Sequence, residues 1–153
     1  MITNHFKRGI TALELLVVLG VLGIIFAIVI PQFSQIRENQ VLKSATNDVL
    51  SSLNKARVQT LASMDSSSYG VHFQSDKVII FKGIVFSAVA SDNETINIIS
   101  PATISAITLT GGGTDLFFNR LNGTPSVTGS IVISSTNFVK TITISATGSV
   151  SVN

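Results

Sequence analysis

Hydrophobic and polar positions divide this chain into stretches with different periods. Residues 1–8 are mostly polar and end in the basic pair Lys7-Arg8. Across residues 15–30 no position bears a charge, an amide or a hydroxyl. A run so uniform has no polar face, which predicts a helix with apolar surroundings on every side. Residues 10–30 would extend about 31 Å as a helix, enough for the hydrocarbon core of a bilayer. From Gln32 to about Met64 the pattern changes. Leu42, Ala45, Val49, Leu53 and Ala56 recur at spacings of 3, 4, 4 and 3, tracing one apolar stripe, while Lys43, Asp48, Lys55 and Arg57 lie off it. This half of the helix has a face to bury. Pro31 stands between the halves, where it removes a backbone donor and predicts a kink or local loosening.

Asp65-Ser66-Ser67-Ser68 is a polar break that ends the helical pattern. Beyond it the period becomes two, and strands are predicted over residues 69–73, 77–81, 84–89, 95–99, 104–109, 116–119, 130–134 and 139–145. Gln74-Ser75-Asp76, Asn122-Gly123-Thr124-Pro125 and Thr147-Gly148 read as turns. Gly111-Gly112-Gly113 reads as a loop; no Lys-Ser/Thr pair follows it, so it is not a phosphate cradle. The predicted fold class is α+β: a long N-terminal helix, membrane-spanning in its first half, packed on an antiparallel sheet of six to eight strands. The segments are 1–9, a spanning helix over 10–31, its amphipathic continuation over 32–64, and a sheet domain over 65–153.

Composition adds three constraints. No cysteine is present, which excludes a disulfide framework and a thiolate metal site. Only 12% of residues are charged, and the formal net charge is +2. Two of the ten basic residues, Lys7 and Arg8, lie in the first nine positions, so the remainder holds eight basic and eight acidic side chains. Without those nine positions the side-chain charge is zero, and no strong field steers the chain toward nucleic acid.

The basic start and apolar run do not make an ordinary secretory signal. The run is long for one, and Pro31-Gln32-Phe33 follows it in place of a small-x-small cleavage site. The segment reads as retained and spanning, with Lys7 and Arg8 on the cytoplasmic side. Within its start lies one carboxylate, Glu14. An unpaired acid in lipid costs about 2.5 kcal/mol or more, so Glu14 calls for a positive partner.

The arrangement Lys7-Arg8-Gly9-Ile10-Thr11-Ala12-Leu13-Glu14, running into an unbroken apolar stretch, resembles the N-terminus of the type IV pilin and type II secretion pseudopilin superfamily. The resemblance implies that prepilin peptidase cuts between Gly9 and Ile10, making residues 1–9 a leader peptide. It also implies methylation of the new N-terminus at Ile10, where the family usually has Phe or Met. Glu14 then occupies the fifth mature position, where the family keeps a glutamate, and would act in assembly by meeting a neighbour's N-terminal ammonium, each charge offsetting the other's burial. Gly20, Gly23 and Pro31 fall where such helices carry glycine and proline for packing and kinking.

Later phrases narrow the resemblance. Leu53-Asn54-Lys55-Ala56-Arg57, Tyr69-Gly70-Val71-His72-Phe73, the run from Leu116 to Gly123-Thr124-Pro125, and Ile142-Thr143-Ile144 with Gly148 are similar to H-type pseudopilins and FimT-like minor pilins. The implied protein is a non-catalytic minor (pseudo)pilin at or near a filament tip. Its implied partners are prepilin peptidase, other (pseudo)pilins and the bacterial inner membrane, crossed once with the C-terminal domain outside the cytoplasm. A secretion pseudopilus and a type IV pilus remain open alternatives. The other reading is a FimT-like minor pilin that binds DNA for uptake. That role needs a basic patch, whereas Lys77, Lys82, Arg120 and Lys140 are scattered and residues 141–153 hold no Lys or Arg.

Catalysis has little footing. His72, the one histidine past the leader, lies between Val71 and Phe73 and reads as a surface or half-buried strand residue. Asp115 and Glu94 have no sequence neighbour suggesting a carboxylate pair, and no Gly-x-Ser-x-Gly elbow appears. Asp92, Asn93 and Glu94 lack the spacing of a calcium loop and read as a solvated turn. No enzyme activity, cofactor or metal is expected.

Overall fold

The computed structural model describes residues 10–153. They form one long helix, a short 3-10 turn and eight strands: α1 Ala12–Leu61, then β1 Tyr69–Phe73, β2 Lys77–Lys82, β3 Glu94–Asn97, β4 Thr103–Leu109, β5 Asp115–Phe117, β6 Gly129–Ser134, β7 Val139–Ile144 and β8 Val150–Val152. The chain divides into two compact units, Met1–Ile36 and Arg37–Asn153. Residues 1–9, expected above to be a leader peptide, lie outside the described residues, and Gly9 with them.

In the first unit α1 begins at Ala12 and continues through Pro31. An 18-residue window of this helix has a mean hydropathy of 3.0 and is 0% buried. The helix is thus long and apolar enough to cross a membrane, and among the described residues its aliphatic side chains over residues 13–30 stay exposed.

In the second unit the helix has two faces. All five stripe residues, Leu42, Ala45, Val49, Leu53 and Ala56, are at most 2% exposed. Their burial drives this half of the helix onto the sheets. Between them sit the buried hydroxyls of Thr46, Ser52 and Thr60. Each donates back to the carbonyl four residues earlier, at 2.7, 2.7 and 2.8 Å, which satisfies it inside the helix. The Thr60 hydroxyl also accepts the Tyr69 amide at 2.9 Å, tying β1 to the helix end. That tie requires an early reversal. α1 ends at Leu61 rather than near Met64, Ser63 turns left-handed at φ 50°, and a 3-10 turn spans Met64–Ser66.

The strands form two antiparallel four-stranded sheets, β3-β2-β1-β5 and β4-β6-β7-β8. Val71, Phe73, Val78, Ile80 and Leu116 of the first sheet, and Ile104, Ile131, Ile133, Ile142 and Ile144 of the second, join the helix stripe in one core. β2 is buried on both faces, which explains its unbroken Val-Ile-Ile-Phe run. Phe81 on its outer face packs edge-on against Phe86, with ring centroids 5.6 Å apart.

Two strand expectations need correction. Residues 84–89 form no strand, because both edges of β2 are already taken, by β1 and β3. The segment is the β2–β3 connection, and its Phe86 folds back to cover Phe81. β8 was not anticipated. It is three residues long, and its Val150/Val152 alternation is too brief to stand out, yet it pairs with β7 from Ile142↔Val152 to Ile144↔Val150.

Candidate functional site

The apolar segment's first turn is built around Thr11. Its hydroxyl accepts the Glu14 amide at 3.2 Å and its carbonyl accepts the Leu15 amide at 3.1 Å. This is half of a capping box, and the Thr-x-x-Glu spacing was its legible signal. Glu14 lies in the first turn, where a carboxylate is favoured by the helix dipole, and its residue is exposed. Ile10 precedes the helix and is 75% exposed. A Cβ added at Gly20 or Gly23 would meet nothing within 4 Å. Among the described residues nothing packs against either glycine.

Two long-range polar contacts organise the second unit. Glu38 is buried on α1, and its carboxylate accepts the Asn137 amide at 2.7 Å and the Asn137 side-chain amide at 2.9 Å. This clasps the β6–β7 turn to the helix. The Asn137 backbone N–H foremost, then its side chain, holds the Glu38 carboxyl below the usual carboxylate range despite opposing desolvation. Further along α1, Arg57 donates from Nε to the Gly123 carbonyl at 3.0 Å and from a terminal nitrogen to the Thr147 carbonyl at 3.2 Å. Gly148 fits beside it with φ +78°, and a Cβ there would sit 2.5 Å from the Gly123 oxygen and 2.9 Å from Arg57 Nε. So three phrases distant in sequence, Arg57, Gly123 and Gly148, meet at one place. Sequence reading had singled them out separately but had no signal for their contact.

His72 is half-buried in β1. Its Nδ1 pairs with Asp115 across the β1–β5 ladder, its Nε2 faces the Gln74 amide nitrogen at 3.0 Å, and its ring stacks on Phe86 at 3.9 Å. Asp115, without a partner in sequence, thus has one in space. Both ring nitrogens are engaged, and among the described residues no hydroxyl is bonded to His72. The arrangement fastens the β2–β3 loop to the sheet. Glu94 pairs with Lys55 at 2.6 Å, and Asn93 donates to the Ser87 carbonyl at 2.7 Å, which places the Asp92-Asn93-Glu94 turn among protein contacts. Among the described residues no three His, Asp or Glu side chains gather in a way that could hold a metal ion.

Basic side chains do not converge in the strand order. Lys82 pairs with Asp65 at 3.2 Å, and that ammonium foremost, then the Tyr69 hydroxyl, holds the Asp65 carboxyl low. Lys77 begins β2 in one sheet, Lys140 lies on β7 in the other, and Arg120 lies on the loop after β5. No protein-family model, curated protein or solved structure matches the chain.

Proposed function

We propose that this chain is a minor pilin or pseudopilin of the H-type or FimT-like kind. In this reading it is a non-catalytic subunit, cut by prepilin peptidase between Gly9 and Ile10, methylated at Ile10, and assembled at or near the tip of a secretion pseudopilus or type IV pilus. Before assembly it crosses the bacterial inner membrane once, with its sheet domain outside the cytoplasm.

The observation that carries the reading is the division of labour along α1. One helix is bare and apolar at its start, with a single carboxylate in the first turn, and buries a stripe beneath antiparallel sheets at its end. A filament subunit needs both properties. The bare half exchanges lipid for neighbouring helices, and the other half holds a folded domain outside the helical core. Gly20 and Gly23 leave open surface for close helix approach. Glu14, tolerable in an apolar setting only beside a cation, acquires one when a neighbour's ammonium is created by cleavage.

Glu14→Ala is the direct test. The variant should still be cleaved but should lose co-purification with its partner pilins. Unchanged pull-down together with unchanged pilus or secretion activity would remove the assembly role. The DNA-uptake alternative draws no support from the placement of Lys55 and Lys82, both engaged by carboxylates. Tight, salt-sensitive binding to duplex DNA in gel shifts would restore it.

A further inference from the structure

Leu121 is 99% exposed, the most exposed large hydrophobic side chain among the described residues. It does not sit on a slack loop. The turn is closed at its base: the Asn119 amide donates to the Thr124 carbonyl at 2.9 Å, the Gly123 amide to the Asn119 carbonyl at 2.8 Å, and the Thr124 hydroxyl to Asn122 Oδ1 at 2.8 Å. Arg57 fixes the turn from below through the Gly123 carbonyl, and Phe118 bridges to Pro125 beyond it. The Leu61 side chain lies about 3.0 Å from where a Cβ of Gly123 would stand, so the apolar surface continues beneath the turn. Val58, one turn back on the same helix face, is 64% exposed. Beside Leu121, Arg120 has neither an ion pair nor a hydrogen bond among the described residues.

From this juxtaposition we propose that the Arg120–Leu121 turn is a preformed anchor for a partner protein. Leu121 enters an apolar pocket on the partner, a carboxylate at that pocket's rim meets Arg120, and Val58 and Leu61 form the apolar floor of the contact. The charge pattern selects this occupant: an unpaired guanidinium next to a bare leucine is complementary to an acidic-rimmed apolar pocket. The bracing matters because a turn already held in shape loses little conformational entropy on docking. The identity of the partner as a neighbouring pilin subunit rests on the function proposed above; the anchor chemistry does not.

The chain has no tryptophan and no cysteine, so single reporters are clean. The full-length Leu121→Trp variant, in nanodiscs of phosphatidylethanolamine and phosphatidylglycerol, should emit at exposed wavelengths alone and shift to the blue when the co-expressed pilin subunits are added. Leu121→Cys with a short bifunctional cross-linker should join a partner peptide bearing Asp or Glu, while Val89→Cys, exposed on another loop, should not. Leu121→Asp and Arg120→Glu should each weaken co-purification at least about tenfold, with leader cleavage unchanged. Arg introduced at the cross-linked acid should rescue Arg120→Glu. A blue shift without added subunits, quenched by brominated lipid, would overturn the proposal in favour of a membrane contact. Normal cleavage and assembly with no effect of either substitution would also overturn it while leaving the pilin reading standing. Failure of cleavage in the wild type would sink the pilin reading instead.

Discussion

At the scale of single residues, the polar groups that matter are those removed from water with a partner. Glu38 is bonded twice by Asn137, which lowers its folded-state pKa below the ordinary value of 4.5. A depressed carboxylate contributes stability above its unfolded pKa and loses it as pH falls through the folded one. Asp65, also lowered, through Lys82 and Tyr69, acts in the same direction. Thermal melts of the wild type should therefore fall on acidification below about pH 4.5. Glu38→Gln should melt lower than wild type at pH 7 and show a shallower fall across the acid range. Equal slopes for the two proteins would show that the Asn137 clasp contributes nothing to acid sensitivity. Gly148 is a steric case: Ala there would need a left-handed backbone and would press on Arg57 and the Gly123 oxygen. Gly148→Ala should cost about 2 kcal/mol in denaturant titrations, and a neutral result would mean the β7–β8 turn relaxes freely.

At the scale of elements, periodicity made the helix legible and neighbours decided the rest. The stripe Leu42, Ala45, Val49, Leu53 and Ala56 was readable because a 3.6-residue period survives any tertiary arrangement, and it is buried throughout. β1 was readable from its alternation of Tyr69, Val71 and Phe73, and β2 from a short apolar run bounded by turn residues. Residues 84–89 misled because an apolar run looks alike whether it pairs in a sheet or covers one; only the occupied edges of β2 separate the cases. Contacts such as Glu38 with Asn137, or His72 with Asp115, join positions 99 and 43 apart in the chain and leave no local pattern to read. Leu53 tests the helix-on-sheet packing. It is 0% exposed, and Leu53→Asp places a charge in the core without a partner, which should cost on the order of 4 kcal/mol. A circular dichroism melt that matched wild type would refute that packing.

At the scale of the whole molecule, the two compact units answer to different surroundings. Residues 37–153 hold the core stripe, both sheets and every clasp described above, so they should fold as a soluble, monomeric domain without the anchor. A cooperative melt and a single monomeric species in sedimentation would show it; a chain without near-ultraviolet dichroism would not. Among the described residues of the N-terminal unit none is buried, and its helix is long and apolar enough to cross a membrane. What turns a membrane anchor into a filament subunit, in the proposed function, is the cut that creates a cation at Ile10 within reach of a neighbour's Glu14. The most direct measurement is intact-mass and N-terminal peptide mass spectrometry of the chain recovered from membranes, beside Gly9→Val. The account predicts a wild-type chain that begins at a methylated Ile10 and a Gly9→Val chain that keeps residues 1–9. A wild-type chain that keeps its leader, or begins anywhere other than Ile10, would contradict it.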